Sequence, residues 1–428
     1  MSQVGRSGRS PSGRPARFLG KDHQLSRTGL WLVGARGGVS TTVIAGLAAI
    51  QYGFEDRVGL LTETPMFERC PLPSLDDLII GGHEVRQGSL LDSARSICAD
   101  SGSLRQDLIA QIAPTLEQVD GRIRPGILFN AGEAILSLEG IQPDCIEQDP
   151  AQAVVKIEQD LRDFREENDL SGVVVVNLSS TEAALPPHPS HGSADELLHQ
   201  LAQGTTEAFR SSTLYAIAAA QVGASFVNFT PSPAALLPAT CELLEKKGCP
   251  FAGSDGKTGE TLVKSALAPM FFQRALKVLS WQGYNMLGDR DGEVLSCSEN
   301  RQTKIESKGE LIEKILGKDV HSQVTIDYVP SLGDNKTAWD LIHFEGFLGH
   351  RMTMQFTWQG CDAVLAAPLV LDLCRLLEWA RQRGDSGLQQ HCGLFFKSPH
   401  LSEVHDLSSQ FGALDEHLKR CRAEADPR

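Results

Sequence analysis

Leu30-Trp31-Leu32-Val33-Gly34-Ala35-Arg36-Gly37-Gly38-Val39-Ser40-Thr41-Thr42 is the stretch on which the fold turns. Its first four residues form a short apolar run that stops at glycine, the habit of a buried parallel strand, so order is expected to begin near Gly29. Glycines let a backbone approach a pyrophosphate, Ser40 and Thr41 can cap the helix that follows, and the positive end of that helix attracts anions. A small-residue helical stretch, Val43 to Ala49, leads to a second apolar strand, Val58 to Leu61, closing on Thr62-Glu63. That is a βαβ unit with a glycine turn at its first crossover. The loop reads G-x-x-G-G rather than G-x-G-x-x-G, yet the strand before it and the acid after the second strand point to dinucleotide binding. Glu63 stands near the place of a ribose-binding acid, roughly 20 residues past the glycines. Its other reading is a solvated loop carboxylate.

Outward from this unit the pattern repeats. Gly172 to Asn177 is another buried strand, followed by Leu178-Ser179-Ser180-Thr181-Glu182, and Ala151 to Glu167 is helical. Leu214 to Gln221 leads as a small-residue helix into Ser225-Phe226-Val227-Asn228. Such alternation predicts a doubly wound parallel sheet of the Rossmann type. After about residue 255 the character changes. Val324 to Val329 and Arg351 to Trp358 alternate apolar and polar, as in a sheet with one solvated or interfacial face. From Val364 an apolar helix runs to about Arg381, and Gly393-Leu394-Phe395-Phe396 reads as a strand whose end carries Lys397. The predicted organisation is a basic tail over 1–21, a nucleotide-binding unit over 22–254, an inserted α+β catalytic and oligomerisation unit over 255–363, and a return to the first unit over 364–428.

The chain has 428 residues, 41% apolar and 22% charged, ordinary globular usage. Forty Lys and Arg against 54 Asp and Glu give a charge of −14, which disfavours a broad phosphate-backbone face and so a nucleic-acid partner. No apolar run is long enough to cross a bilayer. The first 21 residues hold five basic residues and no acid, the composition of a solvated tail. Ten cysteines lack any C-x-x-C pair, so reduced thiols in a cytoplasmic protein are expected, each a small buried hydrophobe.

The segment Gly253-Ser254-Asp255-Gly256-Lys257-Thr258-Gly259 invites a P-loop reading that fails, because the glycine required five residues before Gly256 is Phe251. Lysines with small polar neighbours recur: Lys304 and Lys308 at helical spacing, Gly333-Asp334-Asn335-Lys336, and Lys397 before Ser398-Pro399. Ammonium groups meeting in one pocket bind a phosphate and stabilise an enolate oxygen, whereas a lysine at helical spacing alone is usually a solvated face. His83, His188 and His191 show no ligand spacing and read as surface or structural. Asp291 is either a turn former or a ligand.

Tyr284-Asn285-Met286-Leu287-Gly288-Asp289-Arg290-Asp291-Gly292 resembles the Y-N-x-L-G-x-x-D-G signature of the myo-inositol-1-phosphate synthases. Asn228 to Pro233, Phe251 to Thr261, Gly333 to Lys336 and Leu365 to Leu373 are similar to further blocks of that family. The similarity runs in order from Gly29 to about Pro399 and looks most like the short archaeal and bacterial type.

The resemblance implies an isomerase of inositol and phospholipid biosynthesis, a cytoplasmic homotetramer that takes glucose 6-phosphate to 1D-myo-inositol 3-phosphate with tightly bound NAD. The sugar is oxidised at C5, enolised, closed by an intramolecular aldol step and reduced again. A divalent metal or monovalent cation is left open. Carried over residue by residue, Lys304, Lys308, Lys336, Lys397, Asp255, Asp291 and Asp362 match active-site positions. NAD contacts are implied for Gly34, Gly37, Gly38, Val39, Ser40, Thr41, Ser179, Ser180, Thr181, Thr230, Asp255, Thr258, Asp291, Gly333 and Asp334. Glu84 falls where the family places an acid near the adenosine and competes with Glu63 for the ribose. Two departures stand out: Val39 replaces an asparagine of the eukaryotic glycine loop, and Leu262 stands where the eukaryotic proteins have a lysine, Lys264 remaining without a role. Two rival readings are an NAD(P)-dependent dehydrogenase on another phosphorylated substrate and a non-catalytic NAD-binding regulator.

Overall fold

The computed structural model describes residues 27–288 and 311–425. The basic tail, Asp291, Lys304 and Lys308 lie outside them.

Seven parallel strands form the main sheet in the order β11-β6-β5-β4-β1-β2-β3: β1 (Arg27–Val33), β2 (Leu78–Glu84), β3 (Ile123–Pro125), β4 (Leu170–Asn177), β5 (Ser225–Asn228), β6 (Pro250–Gly253) and β11 (Gly387–Leu388). Strands one to six follow the 3-2-1-4-5-6 order of a dinucleotide-binding fold. Alternation along β1 and β4 explains why both faces are covered. Leu30, Leu32, Val174 and Val176 pack into one core with helices Gly38–Gln51 and Asp362–Arg383. Trp31, Val33, Val173 and Val175 face the opposite core, under helices Pro150–Glu167 and Ser211–Gln221. A strand covered on both sides is mostly apolar, as residues 30–33 and 173–176 are.

Three local expectations need correction. Val58 to Leu61 is not a strand: Val58 is 90% exposed, and Leu61–Glu63 is a 3₁₀ turn. The strand beside β1 is Leu78–Glu84, further along the chain. Ser40 and Thr41 do not cap the first helix, which begins at Gly38 with Gly37 as its N-cap and no side-chain bond there. Finally, Gly393 to Phe396 is not a strand. Gln390–Phe395 is a 3₁₀ segment, joined to the loop after β6 by the antiparallel bridge Gly256–Phe396.

A second, mixed sheet runs β10-β9-β7-β8: β7 (Lys277–Leu287), β8 (His321–Tyr328), β9 (Asn335–Glu345) and β10 (Arg351–Cys361). β9 is antiparallel to both neighbours and β8 is parallel to β7. One face packs Trp281, Ile342 and Phe344 against Ala268 and Phe271 of helix Gly259–Gln273. Tyr284 and Trp339 pair on the other face, their rings 5.6 Å apart, and along β10 every second residue is exposed. Helix Asp362–Arg383 then carries the chain back to the parallel sheet, where β11 pairs with β6.

Candidate active site

The sheet reverses its strand order between β1 and β4, and ligands of such folds sit outside the strand ends at that point. A cavity of about 460 Å³ lies there. Gly34, Gly37, Gly38, Val39 and Ser40 line it from the first turn, Ser179, Ser180 and Thr181 from the end of β4, and Thr230 from the end of β5. Gly34 has φ +84°, and a Cβ there would stand 3.3 Å from the Leu178 carbonyl oxygen, so only glycine turns the chain without strain. A Cβ on Gly38 would meet nothing within 4 Å, which leaves the helix N-terminus open toward the cavity. Ser40 lines the cavity in the first helical turn; Thr41 does not.

Glu84 closes β2 and faces the cavity. Its carboxylate accepts bonds from the backbone N–H groups of Arg36 (2.8 Å), Val85 (2.9 Å) and Arg86 (3.1 Å), which fix it against the glycine turn. Glu63 lies elsewhere: it pairs with Arg57 and with Arg375, 2.6 Å away, and takes no part in lining the cavity. Those guanidinium groups hold its carboxyl below the usual range despite partial burial, which works in the opposite direction.

The strand-end loop after β6 brings several of the candidate side chains together. Asp255, with φ +61°, and Thr258 line the cavity, and so do Asp362, Gly333, Asp334 and Lys397. Lys397 donates from Nζ to Asp255 Oδ1 at 3.0 Å, both groups buried. Lys336, at the start of β9, donates to Asp362 Oδ2 at 3.0 Å. Gly259 lies against the second pair: a Cβ there would lie 3.1 Å from Asp362 Oδ1 and 3.7 Å from Lys336 Nζ. Burial and nearby Asp100 push the Asp334 carboxyl above its ordinary value. Two ammonium groups, each held by a carboxylate and withdrawn from water, suit the stabilisation of negative charge growing on a substrate oxygen.

A profile of the myo-inositol-1-phosphate synthase family, an NAD-binding family, matches residues 28–419. Inositol-3-phosphate synthase 1 of Bacteroides thetaiotaomicron is 32% identical over 425 residues, covering 94% of this chain and 97% of that protein. The chain belongs to the myo-inositol-1-phosphate synthase family. Inositol-3-phosphate synthase isozyme 2 of Arabidopsis thaliana is 28% identical over 83% of this chain and 75% of its own. Two solved structures share the fold. Inositol-3-phosphate synthase of Caenorhabditis elegans gives a TM-score of 0.81 at 24% identity, covering 92% and 86% of the two chains. A myo-inositol-1-phosphate synthase-related protein of Thermotoga maritima gives 0.75 at 23%, covering 92% and 98%.

As a synthase-family site, the cavity fits a dinucleotide. Among the described residues Ser40 Oγ is buried with no protein partner beside the open helix N-terminus, the arrangement that receives a pyrophosphate. Leu128, Ala131, Ile135 and Ile141 make an apolar wall in the same cavity. Sequence reasoning missed several supports. Asn177 Oδ1 accepts from Ser179 Oγ at 2.7 Å, and Asn177 Nδ2 donates to Asn228 Oδ1 at 3.2 Å, bracing two strand-end loops. An asparagine closing an apolar run was the available signal for both. Glu182 is buried at the start of helix Ser211–Gln221 and accepts from the Ser212 N–H and hydroxyl; burial pushes its carboxyl up. His83 is buried, not at the surface, its Nε2 3.0 Å from Asp160 Oδ2 and its ring edge-on to Trp31, and it also borders the cavity. His188 and His191 serve a short 3₁₀ turn. Described cysteines are all free thiols.

Proposed function

We propose that this chain converts D-glucose 6-phosphate to 1D-myo-inositol 3-phosphate, with NAD regenerated in each turnover. The observation that carries the reading is the meeting of Lys397–Asp255 and Lys336–Asp362 beside a dinucleotide-type cavity, in a chain whose relatives are named inositol-3-phosphate synthases.

Glycine-turn residues, Ser179 to Thr181, Thr230, Thr258 and Glu84 are the groups that would hold the dinucleotide. Bound NAD supplies the hydride acceptor and donor that takes C5 to a ketone and back. Lys397 polarises the C5 oxygen and stabilises the enolate left when a C6 proton passes to the substrate's own phosphate group. The enolate carbon attacks the C1 aldehyde, the C6–C1 bond forms, and Lys336 gives the new C1 oxygen its proton. Asp255 and Asp362 orient these ammonium groups while water is excluded. By resemblance, Lys304 and Lys308 engage the phosphate or relay protons, and Asp291 stands with them.

Further readings rest on narrower support. Residues 22–254 with 364–428 form the nucleotide unit and 255–363 the catalytic and assembly unit, supported by the two sheets. The uncovered face of β7, β9 and β10 supports a homotetramer, and the free thiols support the cytoplasm. No helix among the described residues is long and apolar enough to cross a membrane, and no group of three or more His, Cys, Asp or Glu there suits a metal. A divalent or ammonium ion requirement is therefore put to assay.

Incubation with glucose 6-phosphate and NAD, followed by periodate release of phosphate from cyclised product, tests the reading. Inositol phosphate without net NADH is expected. NADH accumulating without cyclised product indicates the dehydrogenase, and NAD binding without turnover the regulator; either result overturns the proposal.

A further inference from the structure

Lys257 is two residues beyond Asp255, 3% exposed, and absent from the cavity wall. The mechanism above has no use for it. Its surroundings show what it does. The loop after β6 is zippered to the segment carrying Lys397: Ser254 N–H donates to Ser398 O at 3.0 Å, Lys397 N–H to Asp255 O at 2.7 Å, and Lys257 N–H to Phe395 O at 2.8 Å. From this zipper the Lys257 side chain turns to the C-terminal helix Leu407–Ala425 and donates from Nζ to Gln410 Oε1. Gln410 is itself fixed, 4% exposed, donating through Nε2 to Val404 O at 2.8 Å. Beyond it Leu414, Leu418 and Cys421 lock the helix into the core of the parallel sheet.

We propose that Lys257 is a positioning residue whose bond to Gln410 ties the Asp255 loop to the C-terminal helix and thereby sets the Lys397–Asp255 geometry. The inference rests on the reading of that pair given under the proposed function. Stability does not explain the lysine. Burial pushes its ammonium down to about 8, with Asp406 the charged neighbour opposing the shift, and its direct acceptor is a neutral amide. An apolar chain of the same length would fill the space without desolvating a charge. What the lysine supplies is one directed contact, 153 positions across the chain, to a rigid element. A displacement of the order of 1 Å at reacting groups costs about 10²-fold in rate.

Steady-state kinetics of the full chain with glucose 6-phosphate and NAD test this. Lys257→Met is expected to lower kcat roughly 10- to 100-fold, with KM for glucose 6-phosphate and Kd for NAD within about twofold of the unmutated chain and a melting temperature no lower. Lys257→Met combined with Gln410→Leu makes an apolar pair, is expected to lose no more rate than Lys257→Met alone, and serves as the reading should the single variant fail to fold. Unmutated kcat in the folded single or double variant overturns the inference, as does a loss of kcat that tracks a falling melting temperature and a rising KM. Failure of the proposed function shows separately, as absence of cyclised product from the unmutated chain.

Discussion

Lys397 Nζ lies 3.0 Å from Asp255 Oδ1, although 142 positions separate the two residues. The backbone makes this pairing before the side chains do, because Lys397 N–H donates to the Asp255 carbonyl at 2.7 Å. The ammonium is thus delivered to the strand end at which the cavity opens.

Replacing Lys397 by alanine removes the donor assigned to the enolate oxygen. Cyclised product is expected to form about 10²- to 10³-fold more slowly. The substitution also takes from buried Asp255 the ammonium 3.0 Å away, so thermal unfolding should begin earlier. Full activity in Lys397→Ala removes the lysine from the mechanism.

Gly34→Ala places a Cβ 3.3 Å from the Leu178 carbonyl oxygen at φ +84°. Left-handed strain of roughly 1–2 kcal/mol should shift the turn and weaken NAD binding about tenfold. Titration calorimetry reads the affinity; an unchanged Kd contradicts the assignment of this turn to the dinucleotide.

Gly283 leaves room for a buried charge cluster in which Lys264 Nζ lies 2.5 Å from Glu260 and 3.3 Å from Asp340, which also accepts from Trp281 Nε1 at 2.7 Å. A Cβ on Gly283 would come 2.3 Å from Glu260 Oε1 and 2.7 Å from Lys264 Nζ. Gly283→Ala should therefore destabilise by roughly 3 kcal/mol, since separating a buried pair costs about 3–5. A urea midpoint equal to that of the parent chain would show that the cluster yields without cost.

Asp372 gives the pH dependence. It accepts from Leu61 N–H at 2.8 Å and Thr62 N–H at 3.1 Å, yet burial outweighs these bonds and pushes its carboxyl up to about 6. The folded state therefore binds the proton more tightly than the unfolded chain. Its contribution is fully present below about pH 4 and is lost as pH rises to about 6, at up to about 1.4 kcal/mol per unit. Asp372→Asn has no proton to lose, so its stability relative to the parent should improve across that window. Parallel pH curves for both proteins would contradict this.

Apolar runs betrayed β1 and β4 because both strands are covered by apolar cores on both faces. β2 escaped for a steric reason. Its Gly81 lies under Phe164 and its Gly82 under the Leu32 carbonyl, where added Cβ atoms would come to 2.7 and 2.3 Å, so a buried strand reads as Gly-Gly-His-Glu. Val58 to Leu61 then drew the assignment that belonged to Leu78–Glu84, and Glu63 drew attention that belongs to Glu84. The lysines were visible as types, but their partners were not. Lys336 meets Asp362 only because the β9–β10 hairpin folds Gly360 opposite Lys336. Lys257 looked like part of a failed phosphate loop, since nothing local announces a contact with Gln410.

Glucose 6-phosphate carrying deuterium at C5 tests the central claim most directly, with the product read by mass spectrometry and NMR. Hydride removed from C5 and returned to the same carbon within one turnover predicts inositol phosphate that keeps the label at that carbon, with no deuterated NADH in solution. Label found in released NADH, or cyclised product from which it has been lost, would contradict the account.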